Sequence, residues 1–349
     1  MAMEMVRKLK SALLILFLIP VSGIAQELVS RDTTLMGTYF SISVQHKDPV
    51  YANKVISKAF MQIWLIENQI SSWIQGSYTD NINKASGKAA VEVPKSLYQL
   101  IERSIKISEL TDGAFDISVA TLGWDLQLKA SNPSLPDDLT MSESKSMMGY
   151  QYIQLIDSNY SVFLQKPGMR IGFGGIGKGY AAQEAMKVII EMGIDNALIN
   201  AGGDLLCKGE ESDGQPWWIA IAEPDGSRKG KAYLNISNLS VVTSGDYERF
   251  VEIDGKRYSH IIDPRTGMPS ESGIKSVTII SPDAEYSDAL ATAVFVLGTE
   301  KGLELIQKLK NTEAIFITSE DEIISSKGIK LKFKEAENKN IQSVIGAGE

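Results

Sequence analysis

The sequence predicts an α+β fold in a single domain. Three observations carry that prediction. Alternating strand patterns and amphipathic helix patterns are mixed along the chain without regular βαβ alternation. The 349 residues are 44% hydrophobic and 22% charged, enough apolar material for one full core. No internal repeat or low-complexity block divides the chain, and its polar breaks read as surface loops.

The N-terminus reads as an address. Arg7, Lys8 and Lys10 precede the apolar run from Ala12, which Pro20 breaks ahead of the small residues Gly23 and Ala25. That order predicts a signal peptide over residues 1–25, cleaved after Ala25, and hence an exported protein. The alternative is an uncleaved anchor, but Ala12 to Ile19 is short for a membrane span. No Cys stands near the cleavage site for a lipid anchor. The domain then occupies residues 26–349, with a polar tail after about 335.

Within the domain, "TYFSISVQ" alternates like a half-buried strand. Val55, Ala59, Ile63, Ile66 and Ile70 recur at helical spacing, and a polar stretch with Trp73 follows. A second helix over Lys95 to Leu110 leads into "TDGAFD", and "ASNPSLPDD" is linker-like before a short helical stretch. Then come a strand, a hairpin turn at "DSNY", a strand, "GFGGIGKGY", a helix and the strand "NALINAGG". Further strands run through "PWWIAIAEP" and "SVVTSGDYERFVEIDGKRYSHIID".

Charge and cysteine content exclude some classes. The net charge is −8 with no long basic run after residue 10, so the electrostatic footprint of a nucleic-acid binder is missing. The single Cys207 cannot form an internal disulfide and reads as a small buried hydrophobe. Of the two histidines, His46 reads as a surface residue at a strand end.

Three constellations carry chemistry. Gly172, Gly174 and Gly177 match G-x-G-x-x-G between a strand-like and a helical segment, but no acid ends the following strand and Asp204 comes only after another glycine pair. Gly172 to Lys178 also spells a P-loop, with Gly179 where that motif needs Ser or Thr. Both patterns share one physics: small residues let backbone amides approach phosphate at a helix N-terminus, and Lys178 adds charge. A glycine-rich turn for tight packing is the alternative. Asp288 and Thr292 stand four apart at the start of an apolar helix, two hard oxygen donors on one face. They need further ligands to hold a cation; otherwise Ser287 or Asp288 caps the helix and Thr292 packs within it. His260, in "SHIIDPRTGMPS", fits a general base, a metal ligand or a turn residue.

Taken in order, "MGTYF", "TDGAFD", "GGIGKGYA", "NAGGDL", "TSGDYERF", "HIIDPRTGMP" and "SDALATAVFVLG" resemble the ApbE family of flavin transferases, over nearly all of the mature chain. The resemblance implies a single α+β domain related to the tunnelling fold. It implies cleavage of FAD at its pyrophosphate and transfer of the FMN half, through a phosphoester, to a Thr or Ser hydroxyl of an acceptor protein, with AMP released. Some relatives instead act mainly as FAD pyrophosphatases that release FMN and AMP.

By the same resemblance, Met36, Trp73, Ala114, Phe115 and Asp116 line the FAD pocket, and Gly174, Tyr180 and Ile262 adjoin it. Phe115 and Trp73 offer stacking faces, and Asp116 an acceptor for a polar edge of the ligand. Magnesium is held by the Gly177 carbonyl, where relatives often carry Ala, and by Asp288 and Thr292, with Ala291 beside them. His260 fits the base near the acceptor hydroxyl, on a turn built by Asp263, Pro264 and Gly267. Arg257 or Arg265 would contact phosphate, or else form an ion pair within the turn. The implied acceptor is an exported or membrane electron-transfer protein, met in transient contact near the membrane. A non-catalytic flavin binder is a third reading, against which Asp288, Thr292 and His260 argue.

Overall fold

The computed structural model describes residues 27–123, 133–134, 137–211, 214–224, 230–247 and 250–329. The expected signal peptide, most of "ASNPSLPDD" and the polar tail lie outside the described residues.

An eight-stranded sheet organises the chain. Its spatial order is Glu27–Leu35, Thr38–His46, Ala197–Ala201, Asp204–Lys208, Ser240–Gly245, Ile274–Ser281, Glu313–Thr318 and Ile323–Ser325. All neighbours pair antiparallel. Side chains on a strand alternate between faces, so adjacent residues belong to different cores. Ile199, Leu206, Val242 and Ile279 enter the main core, which the helices cover. Their neighbours Leu198, Leu205, Val241 and Ile280 enter a second core on the opposite face. The antiparallel ribbon Trp217–Ala222 with Gly230–Ile236 closes that face through Trp217, Ile219 and Leu234. Cys207 is buried there, and burial pushes its thiol up to about 11, so it acts as a small apolar residue.

Among the described residues six α-helices accompany the sheet: α1 (Pro49–Ile70), α2 (Tyr78–Lys84), α3 (Lys95–Leu110), α4 (Asp138–Met147), α5 (Gly177–Glu191) and α6 (Ala284–Lys308). In α1, the Asp48 carboxylate accepts the Val50 and Tyr51 amides at 2.8 and 3.2 Å, and Pro49 supplies a preset φ in the first turn. All five residues of its predicted apolar stripe are buried. The stretch after α1, read as polar loop, contains α2, whose N-cap is the Ser77 hydroxyl at 3.0 Å from the Asp80 amide. Helix α6 corrects the capping alternative: its N-cap is Asp283, which accepts the Tyr286 amide at 3.0 Å. Ser287 instead hydrogen-bonds the hydroxyls of Ser240 and Ser281, each at 2.8 Å. His46 is half-buried, with its ring 5.0 Å from that of Tyr51 and the Asp48 amide donating to its Nδ1.

The register gathers several loops at one end of the sheet. Leu35 pairs with Thr38, Phe40 with Ala201, Ala201 with Asp204, and Gly245 with Ser276. The turns at Met36–Gly37 and Gly202–Gly203 and the excursion from 246 to 273 therefore leave the sheet on the same side. Both hairpin turns need left-handed backbone: φ is 52° and 70° in the first, 66° and 103° in the second. The excursion carries a hairpin, Phe250–Ile253 with Lys256–Ser259, and then His260.

Candidate active site

The glycine segment is held in place by side chains that imitate a strand partner. The Thr121 hydroxyl accepts from the Arg170 amide at 2.9 Å and donates to its carbonyl at 3.0 Å. The Asn83 amide does the same for Ile171, at 2.8 Å to the N–H and 3.0 Å to the carbonyl. Gly172 then donates to the Ile117 carbonyl at 2.9 Å. Backbone so clamped presents the next residues in a fixed position. A Cβ on Gly174 would meet nothing within 4 Å, whereas one on Gly175 would fall 2.8 Å from the Thr292 hydroxyl. The first glycine therefore opens onto space, and the second admits Thr292 to the loop.

Helix α5 starts at Gly177 and has no side-chain cap from its own segment. Its missing partner comes from α6. At Gly179 the two helices approach so closely that a Cβ would lie 2.1 Å from the Ala284 carbonyl oxygen and 2.8 Å from the Asp288 Cβ. The Gly179 N–H donates to Asp288 Oδ2 at 2.9 Å, and the Lys178 N–H faces the same carboxylate. Asp288 thus caps another helix, where the macrodipole favours an anion. It is 3% exposed. Burial above all raises its carboxyl, the Lys178 ammonium opposes, the Asp204 carboxylate adds to the rise and the two amides oppose it, with a net rise to about 7. Lys178 Nζ lies 2.5 Å from Asp204 Oδ2, with the lysine 23% and the aspartate 4% exposed.

This donor set fits a hard cation. A buried carboxylate and a hydroxyl one turn apart, the hydroxyl against the glycine loop, are oxygen ligands of the kind magnesium accepts. Among the described residues no group of three or more His, Cys, Asp or Glu is gathered for a metal. Remaining ligands would come from carbonyls, water and substrate phosphate, which is the habit of magnesium at phosphoryl-transfer sites.

Against known proteins, residues 36–316 match the ApbE family. The chain belongs to the ApbE family. A protein of Klebsiella pneumoniae named FAD:protein FMN transferase is 33% identical over 305 residues, covering 87% of this chain and 93% of its own. One of the same name from Treponema pallidum is 30% identical over 315 residues, covering 86% and 87%. In three dimensions the ApbE protein of Thermotoga maritima superposes with a TM-score of 0.80 at 30% identity, over 86% of this chain and 98% of its own. The flavin transferase ApbE of Vibrio cholerae shares the fold, with a TM-score of 0.76 at 24% identity.

The other residues singled out in the sequence stand on several elements. Met36 lies beside the start of α5: a Cβ on Gly177 would fall 3.4 Å from the Met36 Cε and 3.2 Å from the Ile70 Cδ1. Ala114, Phe115 and Ala291 are buried in the main core. Both oxygens of the Asp116 carboxylate accept backbone amides, from Ser118 and Tyr150, each at 2.8 Å. Burial holds the Asp116 carboxyl above its ordinary value in spite of those bonds. Tyr180 is buried, its hydroxyl pushed up to about 12 by burial and then by Glu184, with the Arg103 guanidinium 6.0 Å above its ring. Trp73 is 49% exposed in the loop after α1.

His260 is half-buried directly after the strand Lys256–Ser259. The turn beyond it is rigid: Arg265 donates to Asp263 Oδ1 from its backbone at 2.9 Å and from Nε at 2.8 Å, and to Oδ2 from Nη2 at 2.8 Å. Burial pushes the Asp263 carboxyl up, yet the Arg265 bonds outweigh it and hold it below the usual range. Arg265 thus takes the ion-pair alternative. The side chain of Arg257 lies outside the described residues; its backbone pairs with Glu252. Ile262 packs with Leu122 and Met148, tying the histidine segment to the helical turn Ile117–Leu122 and to α4.

Sequence reasoning missed Asp204 as the partner of Lys178, weighing it only as a ribose acid. The available signal was an acid directly after a left-handed Gly-Gly turn at a strand start. It also missed the Asn83 and Thr121 clamps, which have no local signature.

Proposed function

We propose that this chain cleaves FAD at the pyrophosphate and transfers the FMN moiety to a Ser or Thr hydroxyl of an acceptor protein, releasing AMP, with magnesium at Asp288 and Thr292. The observation that carries this reading is the junction of α5 and α6: a buried Asp288 on first-turn amides, Lys178 alongside, and Thr292 against a glycine loop with open space at Gly174. The names of relatives that align over most of the chain support it.

The reaction balances simply. The acceptor oxygen bonds to the phosphorus on the FMN side, the bond from that phosphorus to the bridging oxygen breaks, and AMP leaves with the bridging oxygen. The His260 imidazole takes the hydroxyl proton. Lys178 adds positive charge beside the phosphate oxygens, while the first amides of α5, expected from the sequence to meet phosphate, are taken by Asp288. Bound magnesium supplies Lewis-acid charge to the pyrophosphate. The apolar N-terminal run supports export to the periplasmic or outer side of the membrane. The acceptor hydroxyl then belongs to a flexible small-residue loop of an exported protein, foremost a membrane redox subunit.

Asp288→Asn tests the assignment. The amide oxygen still accepts from Gly179, so the fold should persist, while AMP release from FAD should fall about a thousandfold, the share expected of a lost metal ligand. Retained turnover, unchanged by a chelator, would remove magnesium from the account.

A further inference from the structure

Two buried carboxylates compete for one ammonium. Lys178 stands on the first turn of α5, and its long stem lets its charge reach either neighbour. Gly179, the next residue along, donates to Asp288, and Lys178 itself pairs with Asp204, so all three charges share one poorly solvated neighbourhood. The lysine sits with Asp204, at 2.5 Å. Asp204 cannot easily follow if the lysine leaves. It opens the strand Asp204–Lys208 after the left-handed pair Gly202–Gly203, and its Oδ1 accepts from the Thr243 amide at 3.2 Å. A fixed anion therefore anchors the lysine.

We infer that Asp204 is a positioning residue whose carboxylate draws Lys178 away from Asp288, leaving Asp288 available to a divalent cation. An ammonium paired directly with Asp288 would neutralise the site's buried anion and oppose a second cation by like-charge repulsion. With Asp204 holding it, Lys178 keeps its charge near the glycine loop, where phosphate is to lie, without occupying the metal ligand. This inference rests on the cation assignment proposed above and concerns which neighbour the lysine chooses.

The test is a cation-binding cycle without turnover. Mn2+ binding to the purified chain is followed by electron paramagnetic resonance for wild type, Asp204→Asn, Lys178→Met and the double variant. Asp204→Asn retains an oxygen for the Thr243 amide, and its melting temperature checks its fold. The inference predicts at least tenfold weaker Mn2+ binding in Asp204→Asn, and recovery to within about threefold of wild type when Lys178→Met is added. A role for Asp204 that is merely structural, or that of a metal ligand, gives no recovery on removing the lysine. Equal binding by wild type and Asp204→Asn, or a double variant as weak as the single, overturns the inference. A wild type that binds no Mn2+ overturns the cation assignment itself, which is a separate result.

Discussion

Gly174 and Gly179 lie in one short motif, yet a methyl group should affect them in opposite ways. At Gly179 the added Cβ would fall 2.1 Å from the Ala284 carbonyl oxygen, so Gly179→Ala should force α5 from α6. A loss of about 3 kcal/mol is expected from such overpacking, read as a lowered midpoint in urea. At Gly174 the new methyl meets no protein atom within 4 Å. Gly174→Ala should leave the urea midpoint unchanged but raise the KM for FAD, since the space it fills is where the ligand would approach. His260→Ala should keep FAD binding and slow transfer by roughly 100-fold to 10,000-fold, the range for a lost general base. Equal transfer rates would return His260 to a turn residue. The glycines, Asp288, Thr292 and His260 stood out in the sequence as candidates because each belongs to a compact motif, and the structure brings the first three together. What each glycine accommodates was not, because the partner of Gly179 is 109 residues away.

Helices with a full apolar stripe declared themselves, as α1 and α3 did, the first with a capping side chain as well. Elements lacking that signal did not. Helix α2 has seven mostly polar residues, of which Ile82 is the buried apolar one, and the strand Glu27–Leu35 is largely exposed at the sheet edge, so neither shows a periodic apolar pattern. The ion pair that joins α3 to α6 was also illegible, for its partners are far apart in the chain. Arg103 forks onto the buried Glu285 at 2.5 and 2.8 Å, one turn before Asp288. Arg103→Met should cost about 1–2 kcal/mol, a buried-pair loss discounted for the half-exposed guanidinium. Its pH dependence has a definite sign. Burial raises the Glu285 carboxyl, Arg103 lowers it, and Asp283 and Glu184 raise it. Without Arg103 the raising influences act unopposed, and a carboxyl raised in the folded state loses stability as pH climbs through its titration. The deficit should be small near about pH 4 and full by about pH 7 in urea melts. A deficit independent of pH would show that packing, not charge, joins the helices.

At the scale of the molecule, the α+β class was legible from mixed periodicities, and the sheet's two-sided burial explains why. Adjacent residues such as Leu198 and Ile199 serve different cores, so strands read as continuous apolar runs, while helix stripes stay at their own spacing. Strand order was not legible, because pairings such as Phe40 with Ala201 join distant segments. That order delivers the Met36 turn, the Asp204 turn and the His260 excursion to one end of the sheet. Such an assembly has a use for each part if an acceptor hydroxyl must meet a pyrophosphate beside a cation. The most direct measurement incubates the purified chain with FAD, magnesium and an exported membrane redox subunit, and reads flavin fluorescence in a denaturing gel together with AMP. The account predicts a flavin-labelled acceptor and AMP in equal amounts, both lost when the acceptor's Ser or Thr is changed to Ala. Free FMN and AMP with no labelled acceptor would contradict it and leave a pyrophosphatase.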